Sequence, residues 1–190
     1  RALFFPSGRW AKARPDWVLR AHDEGHRVCN HTFSHPNLTA PWMTEARITA
    51  EIARGAGDGE CKLFRPPLMG VDGRVERIAK SLGLEVYLWD IDSRDWEGGP
   101  AEDLLATVLG RAHPEAVVLF HIHAAATFEI LPALAETLRK AGYVLSWDPK
   151  DAPGSHVGSG GRAEWGALRD RPTDAETPSA DTEAPGLGPP

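Results

Sequence analysis

The sequence predicts an α/β protein with a parallel sheet closed into a barrel, and two observations carry this prediction. Short apolar runs alternate with amphipathic runs over residues 1–148, which is the pattern of strands joined by helical crossovers. Polar, chemically capable residues follow the strands at their carboxyl ends, and in a parallel barrel these ends meet at one rim. An open doubly wound sheet would spread the same residues along a line, so we favour the barrel.

Six strands and five helices are predicted in this part of the chain. The strands are placed at residues 2–5, 27–30, 62–64, 85–89, 116–120 and 144–145. The helices are placed at residues 16–24, 44–54, 75–82, 102–112 and 128–141. Gly25, Gly83 and Gly142 each follow a predicted helix, where a left-handed residue commonly ends the helix.

The domain organisation follows from a change in composition near residue 149. Residues 149–190 are rich in Pro, Gly, Ser and acidic residues, so they bury too little apolar surface to offset the entropy of ordering. We predict one domain over residues 1–148 and a disordered tail over residues 149–190, with at most a short helical piece at 163–169. The chain opens at Arg1 directly into a predicted core strand, so we expect a fragment or a start assigned too late.

Composition narrows the class of partner. The net charge of -6 and the absence of a basic stripe argue against nucleic acid as a partner. The sequence contains no run of about 20 apolar residues, so no membrane span is predicted. We expect a monomer. Seven tryptophans are many for 190 residues and hint at a sugar site. Cys29 and Cys61 are either two buried free thiols or a disulfide formed in an oxidising compartment.

A histidine pair follows the second predicted strand. His31 and His35 are spaced i, i+4, so on one helical turn both imidazoles could reach one cation. The pair lacks the glutamate of the HExxH motif, which argues against a zinc protease. Two imidazoles are too few for a stable metal site, so a third ligand must come from elsewhere.

Three later loops also carry chemically capable side chains. Arg65 opens a turn stiffened by prolines, and it is either a surface charge or a guanidinium that binds a carboxylate. Asp92 and Asp95 lie in either a solvated acidic loop or a loop that orients a histidine while Trp96 walls a pocket. His121 ends an apolar strand, and with a carboxylate partner it could act as a general acid.

The order of these motifs resembles the polysaccharide deacetylases (carbohydrate esterase family four, nodulation-protein-B homology). The motifs are His-Thr-x-x-His from His31, Phe-Arg-Pro-Pro from Phe64, Asp-x-x-Asp-Trp from Asp92 and Leu-x-His from Leu119. The resemblance covers about residues 2–145. It implies a distorted (β/α) barrel with fewer than the usual eight strands and a divalent metal, usually zinc.

The resemblance also implies a role for each motif residue. His31 and His35 would be metal ligands, and Arg65 would orient the catalytic base. Asp95 would pair with His121, the general acid that protonates the leaving sugar oxygen or nitrogen, while metal-activated water attacks the acetyl carbonyl. Supporting positions would be Asp92 behind the catalytic pair, Trp96 and Leu119 at the acetyl pocket, Pro66 beside the substrate, and Leu68 through its backbone N–H.

One family motif is absent. Thr-Phe-Asp-Asp-Gly, with the base and the third metal ligand, should lie on a strand before Ala2, and no later aspartate has its context. One hypothesis is therefore a deacetylase of N- or O-acetylated glycans that lacks its first strand here. A second is a catalytically inactive sugar-binding or regulatory remnant, and a third is an amidase for small non-sugar amides.

The compartment follows only from the resemblance. Family members commonly act outside the membrane, which favours an extracellular or cell-wall location and a bridge between Cys29 and Cys61. A cytoplasmic location stays open.

Overall fold

The computed structural model describes residues 1–57 and 59–147. The strands are β1 Leu3–Phe4, β2 Arg27–Val28, β3 Leu63–Phe64, β4 Glu85–Val86, β5 Ile91–Asp92 and β6 Val118–Leu119. The helices are α1 Gly8–Ala13, α2 Pro15–Asp23, α3 Glu45–Ala53, α4 Gly73–Ser81, α5 Ala101–Arg111 and α6 Ala125–Lys140. The predicted tail at 149–190, with its helical piece, lies outside the described residues.

Every strand pairing is parallel. β1 pairs with β2, β3 with β4, and β5 with β6, and a bridge between Asn30 and Phe64 extends the first pair towards the second. The prediction of parallel strands with helical crossovers is therefore confirmed. The prediction of a closed barrel is not, because closure requires each strand to pair on both edges. In the described part of the chain, β1, β4, β5 and β6 each pair on one edge only.

The five predicted helices are all present, with ends that differ by at most three residues. α1 was missed because it spans only six residues between Ser7, whose hydroxyl accepts the Trp10 N–H, and Pro15. β5 was missed because two residues are too few to show an alternating pattern. The strand predicted at 144–145 is wrong: no ladder forms there, and Val144 is 65% exposed, so it has no buried face.

Two apolar clusters hold the helices. α3 and α4 pack around Phe64 through Ile48, Ile52 and Val75, all fully buried, and burying each such side chain contributes about 2 kcal/mol. α5 and α6 form the second cluster, and its buried residues are Leu104, Val108, Ile130 and Leu134.

Three further features of the chain bear on the predictions. Gly25, Gly83 and Gly142 have φ of 81°, 73° and 88°, which confirms them as left-handed helix ends. Cys29 and Cys61 form a disulfide with Cα atoms 5.3 Å apart, so the free-thiol alternative is wrong. Among the helices of the described residues, none combines the length and the apolar character that crossing a membrane requires.

Candidate active site

The His31–His35 segment is a loop and not the helical turn that the spacing suggested. Thr32 and His35 take left-handed conformations with φ of 61° and 64°, which no α-helix accommodates. The two imidazoles nevertheless meet edge to face, with ring centroids 4.8 Å apart. The predicted proximity of the pair is thus produced by loop geometry instead of helical periodicity.

His31 is held in one tautomer. Its Nδ1 lies 2.5 Å from the carbonyl oxygen of Arg65, and a carbonyl can only accept, so Nδ1 carries the hydrogen and Nε2 keeps its lone pair. Burial lowers the pKa of His31 to about 3, against the opposing effect of that hydrogen bond. His31 is therefore neutral at physiological pH, which is the form that coordinates a metal.

The donor set fits a metal only in part. Imidazole nitrogens at His31 and His35 suit zinc and related divalent ions. Within the described ranges, however, no group of three or more His, Cys, Asp or Glu side chains is placed to hold an ion. Two imidazoles are fewer than the three protein donors that a zinc centre needs.

Arg65 is buried, with 9% exposure, so the surface-charge alternative is wrong. Its guanidinium donates to the carbonyl oxygens of Tyr87 and Leu88 at 3.3 Å and lies over the ring of Phe5, 4.1 Å from the centroid. Burial lowers the pKa of Arg65 to about 10. No carboxylate of the described residues forms an ion pair with this buried cation.

Two prolines begin the turn that follows Arg65. Pro66 and Pro67 are fully buried, and the turn is closed by the Gly70 N–H, which donates to the Pro67 carbonyl oxygen at 2.8 Å. Leu68 has φ of 54° and a side chain that is 56% exposed. A non-glycine residue in this region is strained, so the turn presents the Leu68 position to solvent at an energetic cost.

Asp95 and His121 form a closed hydrogen-bonded pair. The Asp95 carboxylate accepts Nδ1–H of His121 at 2.7 Å and the backbone N–H of His121 at 2.7 Å. Thr127 donates its hydroxyl to the same carboxylate at 2.5 Å. Burial alone would raise the pKa of Asp95, but the hydrogen bonds from His121 and Thr127 lower it to about 2. Asp95 is thus ionised, and it fixes the His121 ring with Nε2 turned away.

The Asp95–His121 pair lies near the histidine loop. Burial is the largest cause of the lowered pKa values of His31 and His35, and the proximity of the His121 imidazole is among the smaller causes for both.

The remaining predicted positions surround this centre in different ways. Asp92 does not contact His121, because its carboxylate accepts the Arg94 N–H at 2.9 Å and so shapes the turn before Asp95. Trp96 is 46% exposed beside the acid pair, and Leu119 is buried in β6. The structure thus places Trp96 at the surface of the site, whereas Asp92 and Leu119 lie behind it.

Two residues that contact the site were not predicted from the sequence. Thr127 contacts Asp95 across 32 residues, and Glu51 of α3 contacts Ser34 across 17 residues. Neither has a local motif, since a threonine or a glutamate on an amphipathic helix is ordinarily solvated. Only the tertiary contacts reveal them.

Comparison with known proteins identifies the family. A sequence model described as polysaccharide deacetylase matches residues 1–87. The chain is also 31% identical over 153 residues to a chitooligosaccharide deacetylase of Azorhizobium caulinodans, over 76% of this chain and 73% of that protein. The chain belongs to the polysaccharide deacetylase family. The predicted family is therefore confirmed, and it is a family of hydrolases.

Solved structures support the same family at the level of fold. A family 4 carbohydrate esterase from Streptomyces lividans, in complex with acetate, matches with a TM-score of 0.67 and 30% identity over 74% of each chain. A CE4 family pseudoenzyme from Bacillus anthracis matches with a TM-score of 0.69 and 27% identity, over 74% of this chain and 51% of that one. This polysaccharide deacetylase fold is therefore similar both to a catalytic and to a non-catalytic relative.

Proposed function

We propose that this polysaccharide deacetylase domain belongs to a metal-dependent hydrolase that removes acetyl groups from an N- or O-acetylated glycan. The observation that carries the proposal is the closed network of Asp95, His121 and Thr127 beside the His31–His35 pair. A buried, ionised carboxylate that orients a part-exposed imidazole is the arrangement expected of a general acid.

His121 would act through Nε2. Because Asp95 accepts the proton on Nδ1, a protonated His121 presents its Nε2–H towards the substrate. As the acetyl C–N or C–O bond breaks, that proton moves to the leaving nitrogen or oxygen of the sugar, and water supplies the hydroxyl of the released acetate. Asp95 keeps its negative charge throughout and stabilises the imidazolium.

His31 and His35 would hold the metal, which we propose is zinc. Such an ion, when bound, polarises the acetyl carbonyl and lowers the pKa of a coordinated water. The neutral state of His31 and the lone pair on its Nε2 support this assignment. The bond to the Arg65 carbonyl would orient the ligand as outer hydrogen bonds commonly do for metal-bound histidines.

Arg65 supports the proposal that a carboxylate outside these residues completes the site. A buried guanidinium without an acidic partner is costly, and its planar donors suit a bidentate carboxylate. The unpaired edges of β1 and β6 would accommodate a further strand that carries this carboxylate, the third metal ligand and the closure of a distorted barrel.

We propose the substrate from the exposed tryptophans of this chain and from the name of the Azorhizobium relative. The Azorhizobium relative is named for chitooligosaccharides, which carry N-acetyl groups. Trp42 is 69% exposed, and Trp96 is also exposed beside the acid pair. Flat indole faces can stack on the apolar faces of sugar rings. We therefore propose Trp96 at the acetyl pocket, with Pro66, Leu68 and Leu119 nearby, and a monomer that acts alone on the glycan.

The Cys29–Cys61 disulfide supports a location outside the cytoplasm. Disulfides persist mainly in oxidising compartments, so we propose an extracellular or cell-wall-associated protein. The proposal is tested by counting free thiols in protein purified from its native host under non-reducing conditions. Free thiols at both positions would contradict it.

One observation favours a second candidate function. The described residues hold neither a base carboxylate beside Arg65 nor a third metal donor, and a pseudoenzyme is among the similar folds. The alternative is therefore a catalytically inactive protein that binds sugar or regulates a partner through the same site.

Acetate release from N-acetylated chitooligosaccharides separates the two candidates. The assay compares the 190-residue chain with a longer chain that includes the sequence encoded immediately before Arg1, both with added Zn²⁺. The proposed enzyme requires activity in the longer chain only. Glycan binding without acetate release by the longer chain would favour the inactive alternative.

A further inference from the structure

The His31–His35 loop cannot hold its shape unaided. Thr32 and His35 both have left-handed backbones, and Thr32 is β-branched, for which this conformation is a genuine outlier. Strained residues persist only where the surrounding structure determines them. The loop also lies outside every helix and strand, so its backbone N–H groups must find partners elsewhere.

Glu51 of α3 supplies those partners. Its Oε2 accepts the backbone N–H groups of Phe33 at 3.1 Å and Ser34 at 2.8 Å. Its Oε1 accepts the Ser34 hydroxyl at 2.7 Å. One carboxylate therefore makes three hydrogen bonds to two consecutive loop residues, and hydrogen bonds to a charged acceptor are about twice as strong as neutral ones.

α1 holds the opposite edge of the same loop. The backbone N–H groups of Gly8 and Arg9 donate to the carbonyl oxygens of Thr32 and Phe33, both at 2.9 Å. The amide edge of the loop thus binds α3 and its carbonyl edge binds α1. His35 lies at the end of the clamped segment, where its own N–H donates to the Thr32 hydroxyl at 3.1 Å.

Glu51 stands on a rigid base. Ile48 and Ile52 of the same helix are fully buried, and the Asn30 side chain donates to the Ile52 carbonyl at 2.8 Å. Gly55 has no room for a side chain, because a Cβ there would lie 2.3 Å from the Asn30 oxygen. The end of α3 is therefore locked against the residue that precedes His31.

We propose that Glu51 is a positioning residue for the His31–His35 pair, acting through its clamp on Phe33 and Ser34. This inference rests on the proposed role of the two histidines as metal ligands. Glu51 does not touch the ligand nitrogens; it sets the loop conformation that brings the two imidazoles edge to face.

The chemistry of the clamp predicts a ranking of substitutions. Glu51→Gln keeps an acceptor for the two amides, and its amide group can donate to the Ser34 hydroxyl, so it should preserve the loop. Glu51→Asp is one methylene shorter and should lose the bonds. Glu51→Ala loses them all, although alanine is the best helix former. A glutamate with only a helical or surface role would give the opposite result, with Glu51→Ala neutral.

Amide hydrogen exchange in the metal-free 190-residue chain tests the clamp. We expect Glu51→Ala to raise exchange at Phe33 and Ser34 at least about tenfold, because two charge-assisted bonds are lost. Exchange in α5 and α6 should stay unchanged, and the cross-relaxation signal between the rings of His31 and His35 should weaken. Glu51→Gln should stay within about threefold of the parent, and the matched control Glu129→Ala, at an exposed helical glutamate, should change nothing.

Ser34→Ala serves as a second variant if Glu51→Ala does not fold. It removes one of the three bonds and should raise exchange at the same amides by a smaller factor. Unchanged exchange at Phe33 and Ser34 in both variants overturns the proposal, and so does a uniform rise across the whole chain.

The metal supplies an independent readout. The affinity of the longer chain for Zn²⁺, measured by calorimetry, should be about tenfold lower in Glu51→Ala than in the parent. In Glu51→Gln it should be close to that of the parent, as expected when a residue orients metal ligands. If local exchange responds as expected but the longer chain, with the sequence encoded immediately before Arg1, releases no acetate, the clamp stands and the proposed function fails. Active enzyme with an unaffected loop in Glu51→Ala would do the reverse.

Discussion

The two halves of the site differ in how completely they are satisfied. On the acid half, Asp95 is 5% exposed, and His121 and Thr127 together supply three donors to its carboxylate. On the metal half, His31 and His35 lack a third ligand, and Arg65 lacks an acid within the described residues.

The two halves are built from different segments of the chain. The acid half joins the segments after β5 and β6 with the first turn of α6, and all three belong to one folded region. The metal half joins β2, β3 and the edge of β1, where no further strand pairs. Within the described residues, the proposed metal half is the one that lacks a third donor.

The largest effect should come from breaking the acid half in an active, longer chain. We expect His121→Ala to lower kcat by about 100- to 10,000-fold, because the leaving group loses its proton donor. Metal content, measured by elemental analysis, should not change. A variant that loses both activity and metal would show that His121 is a ligand and not the acid.

A substitution in the proposed metal half should first lower the amount of bound metal. His35→Ala removes one of the proposed donors, so bound Zn²⁺ at a fixed free concentration should drop by at least about tenfold. Adding Zn²⁺ should restore part of the activity of this variant, whereas no concentration should rescue His121→Ala. Full occupancy in His35→Ala would remove His35 from the ligand set.

The pH dependence of stability should report on Thr127. Because the pKa of Asp95 is lowered to about 2, below the ordinary value of about 3.9, the network stabilises the fold above pH 4, and this contribution is lost as the pH falls from about 4 to about 2. Thr127→Val removes one donor, so it should cost about 1 kcal/mol in the free energy of unfolding at pH 7.

The same variant should lose its deficit in acid. Urea unfolding of Thr127→Val and the parent at pH 7 and near pH 2.5 measures both values. A deficit that is equal at the two pH values would mean that Thr127 contributes packing alone.

The smallest effect should come from Arg65 in the 190-residue chain. The cost of burying this cation without an acid offsets its hydrogen bonds to the Tyr87 and Leu88 carbonyls, so Arg65→Met should change the free energy of unfolding by less than about 1 kcal/mol. In the longer chain the same substitution should cost about 3 kcal/mol, because it would strand the proposed carboxylate. Equal effects in both chains would argue against a carboxylate at Arg65.

The residues of the proposed site were predictable from the sequence, but the contacts that support them were not. His31, His35, Arg65 and the pairing of Asp95 with His121 follow from motifs whose order is visible along the chain. The left-handed backbone at Thr32 does not, because its cause is the clamp of α1 and α3 on the loop. The hydrogen bond by which Asp92 accepts the Arg94 N–H and shapes the turn before Asp95 was not predicted either.

The fold shows the same limit. Helices were predictable because each has a periodic apolar face and three end at a left-handed glycine. The strands span two residues each, so their pairing depends on contacts between distant segments, and β5 left no local signal. Closure into a barrel depends on pairing at both edges of the sheet, and the apolar runs in the sequence do not indicate which strands pair there.

Acetate release by the 190-residue chain tests whether the proposed metal half is incomplete while the proposed acid half is complete. The chain is incubated with N-acetylated chitooligosaccharides and saturating Zn²⁺, and free acetate is followed against a blank without protein. We expect no release above the blank. A robust rate that depends on Zn²⁺ and disappears in His121→Ala would contradict it, since base and third ligand would then have to lie within these residues.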